Sequence, residues 1–213
     1  MGRDPASIRI VGVTKTLPPD TVRAAFAAGI EDIGENYVQE ARDKRRSVGE
    51  GGVWHLIGGL QRNKARIAAE LFDWVHSLDS MPVAEALSAE AARLGRRIQV
   101  LIQVNVAREA SKRGVRPADV DELVAGVARL GCLDLRGLMT VAPYSDDPEA
   151  VRPYFRALRE AREMAQNRLG VELPHLSMGM SGDFVIAVEE GATILRLGGA
   201  LFGPRAPRSW RED

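Results

Sequence analysis

The sequence predicts a single α/β domain spanning residues 1–213, folded as a closed (β/α)8 TIM barrel. Three observations carry that expectation. Eight short apolar runs alternate with amphipathic helical stretches, the pattern of a parallel sheet covered by helices. Eight βα units of about 26 residues use up the chain, near the lower end of the barrel's size range. Polar residues and glycines follow the apolar runs, at the rim where such barrels keep their working groups. An open doubly wound sheet is the alternative, because the second and fourth runs are thin.

Taken in order, the first run covers residues 8–13, and Pro18 with Pro19 opens the first helix, where a fixed φ and a missing N–H cost nothing. The second run is 30–33. Arg42, Lys44, Arg45 and Arg46 then read as the solvated face of a helix. Runs three and four are 53–57 and 72–75, and Val83, Leu87, Ala91 and Leu94 mark the buried stripe of the next helix. The fifth run is 98–106, followed by Pro117 and a helix with Val120, Leu123, Val124, Val127 and Leu130 on one face. The sixth is 133–141, preceded by Cys132, which reads as packed rather than reactive. Val151, Phe155, Leu158 and Ala165 then share a helix face, and the last runs are 171–176 and 194–197.

Composition removes several function classes. Lys plus Arg and Asp plus Glu are both 29, which argues against a nucleic-acid binder built on a basic face. A single cysteine excludes an internal disulfide framework and a multi-cysteine metal site. His55, His76 and His175 lack metal-ligand spacing, so no metal is expected. The chain starts without a signal pattern and has no apolar run of membrane-spanning length. The expectation is a cytoplasmic protein with neither membrane nor nucleic-acid partners.

The strand ends suggest chemistry. Lys15 follows the first run, where an amine in a partly apolar barrel mouth is desolvated and available as a nucleophile. Asn36 follows the second run, His55 lies within the third beside Trp54, and Arg196 lies in the eighth. Ser177 and Ser181 offer hydroxyls after the seventh run, and Gly198-Gly199 lets backbone N–H groups approach an anion. Phosphate binding at strands seven and eight is a habit of this barrel. A phosphate cup facing a lysine suits a phosphorylated aldehyde held as an imine, and pyridoxal 5′-phosphate (PLP) fits that description. The residues leave open another phosphorylated metabolite, with Lys15 as a countercharge. Walker, Rossmann and Gly-x-Ser-x-Gly patterns are absent.

Several longer motifs occur together. They are Val11-Gly12-Val13-Thr14-Lys15-Thr16, Gly34-Glu35-Asn36-Tyr37-Val38-Gln39-Glu40, Trp54-His55-Leu56-Ile57-Gly58 and Leu60-Gln61-Arg62-Asn63-Lys64. Further on stand Gln103-Val104-Asn105-Val106, Arg136-Gly137-Leu138-Met139, Leu176-Ser177-Met178-Gly179-Met180-Ser181, Arg196-Leu197-Gly198 and Phe202-Gly203-Pro204-Arg205. In this order they resemble the pyridoxal phosphate homeostasis proteins (the YggS/PROSC-like family) over nearly the whole chain. The resemblance implies a barrel like the N-terminal domain of alanine racemases, with PLP as a covalent imine on Lys15. It places Asn36 and His55 near the ring, Ser181 and the backbone of Gly198-Gly199 at the phosphate, and Arg196 against the pyridine nitrogen.

The last position has a chemical consequence. A guanidinium keeps its protons, so the ring nitrogen it faces stays unprotonated and the ring is a poor electron sink. Racemases of this barrel type add a tyrosine base from a second domain and a partner subunit. This chain stops at Asp213, and Tyr37, Tyr144 and Tyr154 do not align with that tyrosine. The resemblance therefore implies a PLP-homeostasis protein that is not an enzyme and has no catalytic residues. It would act as a monomer, with PLP and PLP-requiring apoenzymes as partners. The alternative is an amino-acid racemase of the same barrel class. One departure stands out: family members carry a helix before the first strand, whereas here only residues 1–7 precede it.

Overall fold

A computed structural model describes residues 2–109 and 112–204. Its eight strands are β1 (Arg9–Val13), β2 (Asp32–Glu35), β3 (Val53–Leu56), β4 (Trp74–Leu78), β5 (Ile98–Gln103), β6 (Leu133–Met139), β7 (His175–Ser177) and β8 (Ile194–Leu197). All pair in parallel, in chain order. The register of Arg9 with Ile194 through Gly12 with Leu197 joins β8 to β1 and closes the barrel. Closure settles the choice against an open sheet. The outer helices are α1 (Pro19–Ala27), α2 (Val38–Val48), α3 (Ala65–Leu71), α4 (Met81–Arg93), α5 (Val120–Val127), α6 (Arg152–Leu169), α7 (Phe184–Glu189) and α8 (Gly199–Phe202).

Two thin runs fold later in the chain than the apolar residues suggest. β2 starts at Asp32, because its ladder to β3 runs from Asp32–Val53 to Glu35–Leu56, while Ile30 packs outside it against the helix layer. β4 runs on through His76 and Ser77, both fully buried. Strands in such a sheet are covered on both faces, so a buried polar residue interrupts the apolar run without ending the strand. β7 is cut to three residues.

Side chains on the two faces of the strands build two cores. Between sheet and helices lies the larger one, including Trp54, Phe72, Leu87, Ile102 and Phe155. Inside the barrel sits a small apolar group of Val11, Trp74, Leu101, Met139 and Ile194. Space there is tight. A Cβ on Gly34 would stand 2.8 Å from Val11 Cγ1, so an alanine at that place would force a shift in close-packed interior. Much of the remaining interior is polar, and that material lies directly beneath the functional rim.

Candidate functional site

A cavity of about 360 Å³ opens at the C-terminal ends of the strands. Its walls include Val13, Ile57, Val141, Met180 and Gly182, together with Lys15, Asn36, Ser181, Arg196, Gly198 and Gly199. Six of the eight residues singled out in the sequence therefore meet around one volume. Among the described lining residues, Lys15 and Arg196 are the titratable ones. No group of three described His, Cys, Asp or Glu residues is arranged to hold a metal.

Lys15 sits in the turn directly after β1, half-buried, and the next residue, Thr16, takes a left-handed φ of 65°. That conformation is strained for a β-branched residue. A buried ionic cluster behind the turn holds it. Lys44 Nζ donates to the Thr14 carbonyl at 2.6 Å, to Glu35 Oε1 at 2.7 Å and to Glu40 Oε1 at 2.7 Å. Thr14 Oγ1 donates to Glu35 Oε1 at 2.6 Å, and the Thr16 amide donates to Glu40. Burial pushes the Glu35 carboxyl up, while the bonds from Lys44 and Thr14 pull it down less strongly. The basic stretch on α2 is thus not the solvated face its composition suggests. Lys44 is 4% exposed, and Arg45 reaches back to the Leu71 carbonyl and lies over Trp54. Arg46 does face solvent.

Across the cavity the fittings are neutral. The amides of Gly198 and Ala200 both donate to Ser181 Oγ, at 3.3 and 3.0 Å. Having accepted two N–H groups, the hydroxyl keeps its own hydrogen to donate. With both amides bonded to Ser181 Oγ, the donor this group turns outward is the Ser181 hydroxyl hydrogen. At the second strand end, Gly58 allows close approach to Asn36, since a Cβ there would lie 2.2 Å from the Asn36 carbonyl oxygen.

Arg196 is almost wholly buried at the cavity floor, and burial lowers its pKa to about 10, so it stays charged at neutral pH. Its Nη1 donates to Ser177 Oγ at 2.7 Å and its Nη2 to the Thr140 carbonyl at 2.8 Å.

Two expectations need correction. Ser177 ends β7, is fully buried, and bonds His76 and Arg196, so its hydroxyl does not line the cavity. His55 is also fully buried, below the floor, stacked on Trp74 with ring centroids 5.6 Å apart. It bonds Asp32 and His76 instead of lining the pocket. Sequence reasoning missed Glu35, Glu40, Lys44, Asp32 and His76. A faint signal existed for two of them: Glu40 and Lys44 are one helical turn apart. Arg205, in the last of the sequence motifs, lies outside the described residues.

Residues 6–206 match the family described as "Alanine racemase, N-terminal domain". A pyridoxal phosphate homeostasis protein of Aquifex aeolicus is 43% identical over 205 residues, covering 96% of this chain and 90% of that protein. The chain belongs to the family of pyridoxal phosphate homeostasis proteins. The pyridoxal phosphate homeostasis protein of Escherichia coli K12 is 43% identical over 214 residues, with 96% of this chain and 88% of that protein covered. Family structures agree: PipY of Synechococcus elongatus PCC7942 superposes with a TM-score of 0.88 without PLP, at 40% identity and over 93% of this chain and 94% of that one. The same protein with PLP bound gives 0.87 at 38% identity, covering 94% and 95%. An alanine racemase of Clostridium difficile 630 shares the fold alone, with a TM-score of 0.78, 16% identity, and 95% and 54% covered. No helix among the described residues is long and apolar enough to cross a membrane.

Proposed function

We propose that the chain binds pyridoxal 5′-phosphate through Lys15 and serves its homeostasis, without strong catalysis of its own. The observation that carries this reading is the meeting of Lys15, Ser181, Gly198-Gly199 and Arg196 around one cavity. The donor set fits the group. A phosphate monoester is acceptor-only; the Ser181 hydroxyl hydrogen meets it without a metal, and the Gly198 and Ala200 amides would reach it by exchanging Ser181 Oγ for a phosphate oxygen. Family relatives named for pyridoxal phosphate homeostasis, and a neighbour structure with PLP bound, support the same reading.

When bound, the cofactor supplies an aldehyde carbon with which an amine condenses. The protein's own residues do the rest. Lys15 contributes the amine, held in place by the clamp on residues 14–16. Ser181, Gly198 and Gly199, which line the cavity, would orient the phosphate. Arg196 offers donors only, so it pairs with an acceptor and leaves a ring nitrogen facing it unprotonated. Proton exchange on both faces of a substrate needs a base on each. The described cavity wall supplies Lys15 and Arg196 as its titratable groups, and a guanidinium is not a base.

Borohydride reduction of the protein loaded with PLP, followed by peptide mass mapping, tests the reading. A stable adduct on the peptide containing Lys15 is expected. A colourless protein that gains no mass would overturn it, and would favour another phosphorylated ligand with Lys15 as countercharge. Solvent exchange of the α-proton of amino acids at about 1 per second or faster, a turnover typical of enzymes, would instead establish the racemase alternative.

A further inference from the structure

An unbroken series of short polar contacts crosses the barrel interior from its far end to the cavity floor. It starts at Asp32, the first residue of β2, which lines a surface depression with Arg9 at the end of the barrel away from the cavity. Arg9 Nη1 donates to Asp32 Oδ1 at 2.9 Å. His55 Nε2 lies 2.8 Å from the same oxygen. His55 Nδ1 lies 2.9 Å from His76 Nε2, and His76 Nδ1 lies 2.9 Å from Ser177 Oγ. Ser177 Oγ in turn accepts from Arg196 at 2.7 Å.

The two ends fix the direction of every bond between them. Arg196 donates only. Asp32 is ionised and accepts only: burial raises its carboxyl, but the His55 contact and Arg9 outweigh that and hold it below the usual range. Both imidazoles are neutral, because burial lowers His55 despite Asp32, and lowers His76 further with cationic Arg196 and Arg9 nearby. A neutral imidazole carries one N–H. His55 must spend it on Asp32, which leaves Nδ1 bare. His76 must then donate from Nε2, which leaves its own Nδ1 bare. Only the Ser177 hydroxyl remains to donate there, while its lone pair takes the Arg196 N–H. One arrangement satisfies all five residues.

We propose that this one-way chain, Arg196 to Ser177 to His76 to His55 to Asp32, is a positioning relay that fixes the Arg196 guanidinium at the cavity floor. It rests on the reading of the cavity as a PLP site only for its consequence, not for its existence. Among the described residues Arg196 makes no ion pair with a carboxylate; its direct partners are a hydroxyl and a carbonyl. Aligned hydrogen bonds polarise one another in a low-dielectric interior. Through them Asp32 acts on a cation it does not touch, and makes Ser177 a better acceptor for it. His76, His55 and Asp32 are positioning residues.

Two measurements test the relay. Imidazole ¹⁵N NMR of the protein without added PLP should show His55 and His76 both neutral and both protonated at Nε2 at neutral pH. A proton on Nδ1 of either ring, or a cationic ring, would overturn the proposal whether or not PLP binds. In the PLP-loaded protein, Asp32→Asn should weaken PLP binding about 3- to 10-fold, the scale of one lost hydrogen bond. Val53→Ala, at the same level of the ladder as Asp32 and outside the chain, should not. His76→Leu should weaken binding like Asp32→Asn, whereas His76→Gln restores it, since a glutamine accepts from Ser177 and donates to His55. Equal affinities of wild type, Asp32→Asn and His76→Leu, or equal losses in Val53→Ala, would overturn the relay. Failure of wild type to bind PLP would defeat the functional reading and leave the NMR result to decide the relay.

Discussion

The turn that carries Lys15 and the loops that carry Ser181 and Gly198-Gly199 face each other across one cavity, yet different physics fixes them. Behind the lysine turn lie one buried cation and two carboxylates, Lys44 with Glu35 and Glu40, set between β2 and α2. On the far side the fixing groups are two amides and a hydroxyl. The buried ion cluster thus lies behind the cavity wall, where it restrains a strained turn, while the Ser181 side of the cavity uses dipoles and Arg196 supplies charge at the floor. The difference follows from the task. A turn with Thr16 at positive φ needs strong, charge-assisted bonds to stay in place. A phosphate brings its own charge, and needs only dipoles such as the Ser181 hydroxyl to meet it.

Four experiments break or sharpen that contrast. Lys15→Ala should remove the borohydride-reducible adduct completely while leaving the unfolding transition nearly unchanged; a persisting adduct would move the reactive amine elsewhere. Lys44→Met strands buried Glu35 without its cation and should cost about 3–5 kcal/mol in urea unfolding. Adding Glu35→Gln should recover most of that loss. If Lys44→Met costs less than about 1 kcal/mol, the ionic clamp is not what holds the turn.

The third concerns the floor shared by both sides. His76 is depressed well below its usual pKa, chiefly by burial, so the unfolded chain binds the proton more readily. Its stabilising contribution is full above pH about 6.5 and falls as pH drops below it, by up to about 1.4 kcal/mol per pH unit. His76→Gln should reduce the slope below pH 6.5 without abolishing it, since His55 and His175 are depressed too, and an unchanged slope would show that His76 is not buried in its neutral form. The smallest effect belongs to the neutral side. Ser181→Ala should weaken phosphate-dependent binding by about 1 kcal/mol, roughly fivefold, with little change in stability. A loss of several kcal/mol in folding would mean that this side too is a structural clamp.

Several site residues were legible because a barrel places strand ends at one rim. Once the runs were recognised, Lys15, Asn36, Ser181 and Arg196 followed from their position just beyond or late in a run. His55 and Ser177 were legible as rim candidates but not in depth. Trp54 and His55 are neighbours on opposite faces of β3 and both are fully buried, so alternation of polarity, the usual guide to facing, is lost. The burial of Lys44 is not legible in the sequence for a related reason. Composition on a helix shows how many cations it carries, but not which one meets a buried carboxylate such as Glu35 on the strand beneath.

By itself the sequence determined the number of βα units, the parallel class of the sheet and the residues set at its working rim. These depend on local periodicity and on connections between neighbouring segments. Only the tertiary structure decided that the sheet closes, that Lys44 is inside, and that Arg196 is tied through two neutral imidazoles to Asp32. Those outcomes depend on register between strands far apart in the chain: Arg9 meets Ile194 and His76 meets Ser177. No local pattern encodes which partner a buried donor will find across that separation; packing selects it by leaving no other acceptor within reach.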